Sequence, residues 1–112
     1  MKVIKNRLIP FKGFFAMNLF GVCFVRSDVK YSKKQYDVMI NHESIHTEQM
    51  KEMGYIFFYI WYVVEWLIKL VFNGGSAYYD ISFEREAYEN EKNSDYIKNR
   101  KRYSWFNRII NK

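Results

Sequence analysis

The sequence predicts one small α+β domain, in which an N-terminal β-hairpin or small sheet packs on three to four helices. Three observations lead there. The chain has 112 residues, 49% of them hydrophobic, enough for one core but not for a second large lobe. Its first 26 residues carry β-branched and aromatic runs broken by Pro10 and Gly13, whereas from Ser32 onward apolar residues recur at steps of three and four. No repeat, low-complexity segment or linker divides the chain, so residues 1–112 read as a single domain.

Residues 2–9 and 14–26 read as two strands joined by a turn at 10–13. The basic start (Lys2, Lys5, Arg7) followed by an apolar run has a loose likeness to a secretion signal. Pro10 and Gly13 interrupt it, however, and it ends in Val25, Arg26 and Ser27 instead of a small-x-small cleavage site. This favours the cytoplasmic side. Cys23 is the one cysteine, so no intramolecular disulfide or cysteine-rich metal site can form, and its apolar neighbours mark it as a small buried hydrophobe.

Ser32 followed by Gln35 has capping-box spacing, which predicts a helix from about Lys33 to Gly54. Tyr36, Met39, Ile40, Glu43, His46, Met50 and Met53 form its expected core-facing stripe. Within it, Asn41-His42-Glu43-Ser44-Ile45-His46 contains H-E-x-x-H. Residues four apart share a helix face, so both imidazoles can reach one Zn2+. The intervening Glu43 can then take a proton from a metal-bound water. His42 and His46 are the only two histidines in the protein, which makes the pattern specific.

From 55 to 72 only Glu65 and Lys69 are neither apolar nor aromatic, and a run of about 18 such residues reaches the threshold for a membrane-spanning helix. Tyr55, Tyr59, Tyr62, Glu65 or Trp66, and Lys69 nevertheless recur at helical steps, and Glu65 with Lys69 can pair. The favoured expectation is a core helix whose tyrosine stripe meets solvent or the active-site cleft; the alternative is a membrane-embedded or membrane-lying helix. Asn73, Gly74 and Gly75 end it. Ser82 is the expected N-cap of a helix over 83–92, and a last helix is expected from Ser94 through the basic tail.

The net charge is +6, with Lys98, Arg100, Lys101, Arg102, Arg108 and Lys112 crowded at the C-terminal end. No nucleic-acid motif accompanies them, so specific nucleic-acid recognition is not expected. A solvated or phosphate-facing patch, including an anionic membrane surface, is.

A catalytic zinc needs a third protein ligand and one open position. With no further histidine, that ligand should be a downstream carboxylate. Glu84, 38 positions after His46 (84 minus 46), is the first candidate and Glu86 the competitor; on a helix they point about 200° apart, so one alone can face the metal.

Here the chain resembles the gluzincins, zinc peptidases that pair H-E-x-x-H with a later helical E-x-x-A-D type motif, to which Glu84-Arg85-Glu86-Ala87-Tyr88 is similar. In size and order of elements it is similar to the single-domain minigluzincins, a minimal zincin-like domain. The metzincin extension is missing, since Thr47, Glu48, Gln49 and Met50 follow His46. The resemblance implies His42, His46 and Glu84 as zinc ligands, Glu43 as general base, and a peptide or protein substrate held by β-augmentation, with 14–26 as the candidate edge. Tyr88 stands where the family has an Asp that orients a ligand histidine; a tyrosine hydroxyl, Glu86 or Asp80 could take that role. Tyr88, Arg100, Arg102 and Tyr103 have chemistry suited to stabilising an oxyanion. The functional expectation is a zinc-dependent metallopeptidase. The alternative is an inactive zinc-binding scaffold acting as a membrane-associated or protein-interaction module.

Overall fold

The computed structural model of the protein describes residues 1–9 and 15–109. Strands β1 (Lys2–Asn6), β2 (Ala16–Leu19) and β3 (Val22–Arg26) form a three-stranded sheet in the order β1-β3-β2. β3 pairs in parallel with β1, Val3 opposite Cys23, and antiparallel with β2, Met17 opposite Phe24. The helices are α1 (Lys33–Met53), α2 (Tyr55–Asn73), α3 (Ala77–Asp80), α4 (Ser82–Asn90) and α5 (Tyr96–Asn99), with 3-10 turns at Gly74–Ser76 and Ser104–Arg108. The α+β class expected from the sequence is the one observed.

The single strand expected over 14–26 is a hairpin. Phe20 (φ 52°) and Gly21 (φ 85°) both have left-handed backbone, as the two central residues of a type I′ turn require. Gly21 meets this without strain, and a Cβ there would come 3.4 Å from the Tyr55 ring. Phe20 is held in place because its amide donates to the Tyr59 hydroxyl at 2.9 Å. Only Asn18 and Gly21 interrupt the apolar run here, and Phe20 is an apolar residue in a turn position, which hides the turn from a periodicity argument. β1 does not pair with the strand that follows it. Parallel strands need a crossover instead of a tight turn, and the expected turn at 10–13 lies outside the described residues.

The capping box forms at the start of α1: Gln35 N donates to Ser32 Oγ at 3.1 Å, and Ser32 N to Gln35 Oε1 at 2.9 Å. The buried face of α1 is His42, Ile45, His46, Thr47, Gln49 and Met50. It is rotated from the expected stripe, because Tyr36, Met39, Ile40, Glu43 and Met53 are only half-buried. Four of the inward positions are polar, so an apolar count points the helix slightly astray. Met50 of this face packs with Phe58 of α2, Ile81, Phe83 of α4 and Trp105, and Cys23 and Val25 of β3 and Ala87 of α4 are also buried. Burial pushes the Cys23 thiol up to about 12, with Glu43 adding to the shift, as suits a small core hydrophobe.

The expected tyrosine stripe of 55–72 does meet the site, Tyr59 and Tyr62 lining a cavity with Glu43, His46 and Glu84, but the expected burial of the apolar side in the core is overturned. The polar-tipped stripe of α2 turns inward and the apolar side chains turn outward: Ile56, Ile60, Val64, Ile68 and Val71 are exposed. Glu65 is the reason. It is buried, and its two oxygens accept from Ser82 N (2.6 Å), Ser82 Oγ (2.7 Å), Trp61 Nε1 (2.9 Å) and Lys69 Nζ (2.9 Å). The expected Glu65–Lys69 pair therefore exists. Ser82 is not the N-cap of α4; Ile81 is, and a carboxylate from α2 takes the orphan donors that a capping side chain would take.

The basic tail is not one helix. Arg100 is drawn inward to Glu86, and Trp105 is buried against Phe83 with ring centroids 4.8 Å apart. Between them Tyr103 adopts φ 61°, which separates α5 from the last 3-10 turn.

Removing the cap tests this arrangement. Glu65→Ala leaves the Ser82 donors and Lys69 without their buried partner, and urea denaturation should show a loss of roughly 3–5 kcal/mol. A loss below 1 kcal/mol, the scale of a surface ion pair, would mean that Glu65 does not anchor α4.

Candidate metal centre

His42 and His46 lie one turn apart on the buried face of α1, and the first turn of α4 brings Glu84 across to them. His42 Nε2 lies 3.2 Å and His46 Nε2 3.0 Å from Glu84 Oε1, and the two Nε2 atoms are 3.1 Å apart. These three atoms make a near-equilateral triangle of buried ligand atoms. Tetrahedral zinc with ligands at 2.0–2.1 Å would separate them by about 3.3 Å, so the triangle is close to one face of such a site.

The outer hydrogen bonds reinforce this fit. His46 Nδ1 lies 2.8 Å from Gln49 Oε1, and Gln49 Nε2 donates to Phe83 O and Glu86 Oε1, each at 3.0 Å. The Gln49 oxygen is thus the acceptor, and His46 Nδ1 must carry a proton. His42 Nδ1 faces Glu91 Oε1 at 3.2 Å, another acceptor. In the neutral rings both Nε2 lone pairs then point at a carboxylate oxygen, an arrangement that needs a positive charge between them. In the metal-free protein a proton supplies it. Burial opposes that charge, but Glu84 and then Glu43 and Gln49 favour it, and the His46 pKa rises to about 9. Burial likewise opposes ionisation of Glu84, yet His46, His42 and Tyr62 hold it well below the usual carboxylate range.

Glu84 is the carboxylate at the centre, and Glu86 is not. Glu86 points to the other side of α4, where it is fully buried and bound by Arg100 Nε (2.5 Å), Tyr96 Oη (2.6 Å) and Gln49. It supports His46 at one remove, through Gln49. Tyr88 does not hold the position that orients His42 through a hydrogen bond, because its ring meets His42 edge-on at 4.6 Å. Asp80 is also elsewhere, accepting from Asn73 and Ser76 at 2.9 Å each. Glu91 takes that position. Sequence reasoning passed it over, although it lies two turns after Glu84 and so on the same face. Asn41 fixes it, since its amide donates to the Glu91 carbonyl at 2.8 Å and to that of Asn93 at 2.9 Å.

No family model, curated protein or solved structure matches the chain. The chemistry of the site itself therefore carries the functional argument.

Glu43 borders a cavity of about 570 Å³ beside His42, walled by Phe15, Val38, Met39, Tyr78 and Tyr88. It also borders a smaller one of about 220 Å³ between β2 and α2. Its backbone carbonyl accepts from Asn18 Nδ2 of β2 at 2.9 Å, which ties the sheet edge to the motif. Burial raises the Glu43 pKa, partly offset by His46 and His42, in the direction a general base at neutral pH requires. Of the oxyanion candidates, Arg100 is committed to Glu86 and Glu52, and Arg102 and Tyr103 stack on each other away from the histidines. Tyr88 remains at the cavity. Tyr78, not singled out from the sequence, joins it: its hydroxyl lies among Glu84, Tyr88 and Tyr62 and is pushed up by burial, then by Glu84.

Two measurements check the centre. Elemental analysis should show Glu84→Ala losing bound metal and Glu86→Ala retaining it while unfolding more easily; Glu91→Ala should weaken affinity by about 10–100-fold. Because His46 holds a proton up to about pH 9, binding at pH 7 must expel it. Calorimetry in buffers of different ionisation enthalpy should therefore record proton release, with affinity rising about tenfold per pH unit and levelling near pH 9.

Proposed function

We propose that the protein is a zinc-dependent metallopeptidase of gluzincin type. The observation that carries this reading is the convergence of His42, His46 and Glu84 beside Glu43, with His42 and Glu43 on the wall of one cavity and Glu43, His46 and Glu84 on that of the other. Two imidazoles and a carboxylate form a borderline donor set suited to zinc, and three protein ligands leave a position free. When bound there, zinc would polarise a carbonyl and acidify a water held next to Glu43.

The chain's own residues have definite tasks in this scheme. Glu43 takes a proton from the attacking water and later returns it to the leaving amine. Tyr78 donates a hydrogen bond to the carbonyl oxygen as charge develops on it. Glu91 and Gln49 keep both histidines in the tautomer that offers Nε2. β2 lies at the sheet edge with Ala16 on the cavity wall, where an extended peptide can add as a further strand.

Glu43→Gln should reduce hydrolysis of a fluorogenic peptide library by about 10²–10⁴-fold while metal content is unchanged. Tyr78→Phe should lower kcat by about 10²-fold at constant KM. The exposed apolar face of α2 favours a second reading, a metal-binding interaction module without turnover. Stoichiometric metal with no hydrolysis above the Glu43→Gln background would establish that one instead.

A further inference from the structure

We infer that α2 lies flat on an anionic lipid bilayer, its outward face sunk to the level of the acyl chains. The inference stands apart from the hydrolase reading and rests on the placement of α2. The helix is long and apolar enough to cross a membrane, yet only 11% of that apolar window is buried inside the protein. Its 19 residues extend about 28 Å, and the outward side carries Ile56, Ile60, Val64, Leu67, Ile68 and Val71, each between 48% and 80% exposed. Such a face is far larger than the scattered apolar residues of an ordinary surface.

The inner face determines how the helix can meet lipid. It is tethered to the domain from end to end. Tyr59 Oη donates to Asn18 O at 3.1 Å, Tyr62 Oη to Glu84 at 2.6 Å, Ser82 Oγ to Glu65 at 2.7 Å, Lys69 Nζ to the Asp80 carbonyl, and Asn73 to Asp80 at 2.9 Å. A helix held along its whole length by a polar domain cannot thread the bilayer, so the axis must run parallel to the surface.

Lipid fits this face better than a second protein does. A protein interface carries about one hydrogen bond per 100–200 Å², and the outward side of α2 has only the indoles of Trp61 and Trp66 to make one. The Trp61 Nε1 is already bonded to Glu65. Indoles on an otherwise apolar face are suited to the headgroup boundary. The apolar plane continues to either side. Phe20, 58% exposed, lies tilted against Tyr59, and Phe106, 61% exposed, adjoins Trp105, which packs on Trp61. The segment that leads in sequence to Trp105 exposes Lys98, Lys101 and Arg102, and Arg102 shares a groove with Lys51, Glu48 and Glu52 at the end of α1, just before α2 begins; the cations outnumber the carboxylates there and suit anionic headgroups.

Flotation of the full chain with vesicles of phosphatidylcholine and phosphatidylglycerol in equal parts tests this, alongside vesicles of phosphatidylcholine alone. The protein should float with the anionic vesicles, with a blue shift of tryptophan emission. The pair Ile60→Glu and Leu67→Glu, on side chains already exposed, should weaken partition by tenfold or more while metal content and circular dichroism stay unchanged. The pair Lys101→Glu and Arg102→Glu should weaken it by about fivefold or more per cation removed. No flotation would overturn the inference, as would equal partition into both vesicle types. A stable dimer in sedimentation equilibrium, abolished by the Ile60→Glu and Leu67→Glu pair, would assign the face to a second copy instead. None of these readouts depends on peptide hydrolysis.

Discussion

Glu65 sits in the interior of the domain where few unpaired carboxylates could persist, and the first turn of α4 is built on it. The amide and hydroxyl of Ser82 both donate to it, and Lys69 balances its charge at 2.9 Å. A helix N-terminus presents unpaired amides and a partial positive charge, so a buried carboxylate is stable there and costly anywhere else nearby. The consequence reaches the metal centre. With Ser82 pinned to α2, the same first turn of α4 projects Glu84 toward α1, and Tyr62 of α2 secures its second oxygen.

The centre is then built in layers. His46 leans on Gln49, Gln49 on Glu86, and Glu86 on Arg100 and Tyr96. Arg100 continues to Glu52 as a close ion pair at 2.5 Å, although the contact lacks hydrogen-bond geometry. Against the burial that opposes its ionisation, Arg100, Tyr96 and Gln49 hold Glu86 below the ordinary carboxylate range. An anion kept charged at this depth gives the Gln49 amide a fixed orientation, and that in turn fixes the histidine tautomer. The basic tail, surface-like in sequence, thus contributes an interior arginine to the site's support.

These demands on the inner face of α2 explain its unusual exterior. Tyr59, Tyr62, Glu65 and Lys69 are needed inside to bond the hairpin, Glu84 and the start of α4. The remaining apolar residues have no core left to enter, because Phe58, Phe83 and Trp105 already fill it. A soluble helix hides its apolar side; this one hides its polar side, and the outward face is what a bilayer would cover.

The sequence by itself determined the class of the fold, the start of α1 at Ser32, and His42, Glu43 and His46 as the heart of the site, because each rests on contacts within one or two turns of chain. Glu84 was also legible, through its resemblance to a known motif. The turn at Phe20 and Gly21 was hard to read locally, since Asn18 and Gly21 are the only interruptions of the apolar run and bulky Phe20 holds the other left-handed position. Local pattern could not show the rotated face of α1, where buried positions are polar, nor the inversion of α2, where hydropathy points the wrong way. Glu91, Tyr78, the bonds from Gln49 to α4 and the cap from Glu65 were decided by tertiary structure alone. Each works by satisfying a donor or acceptor on a different element, and which element comes within about 3 Å of another is a property of packing, not of spacing along the chain.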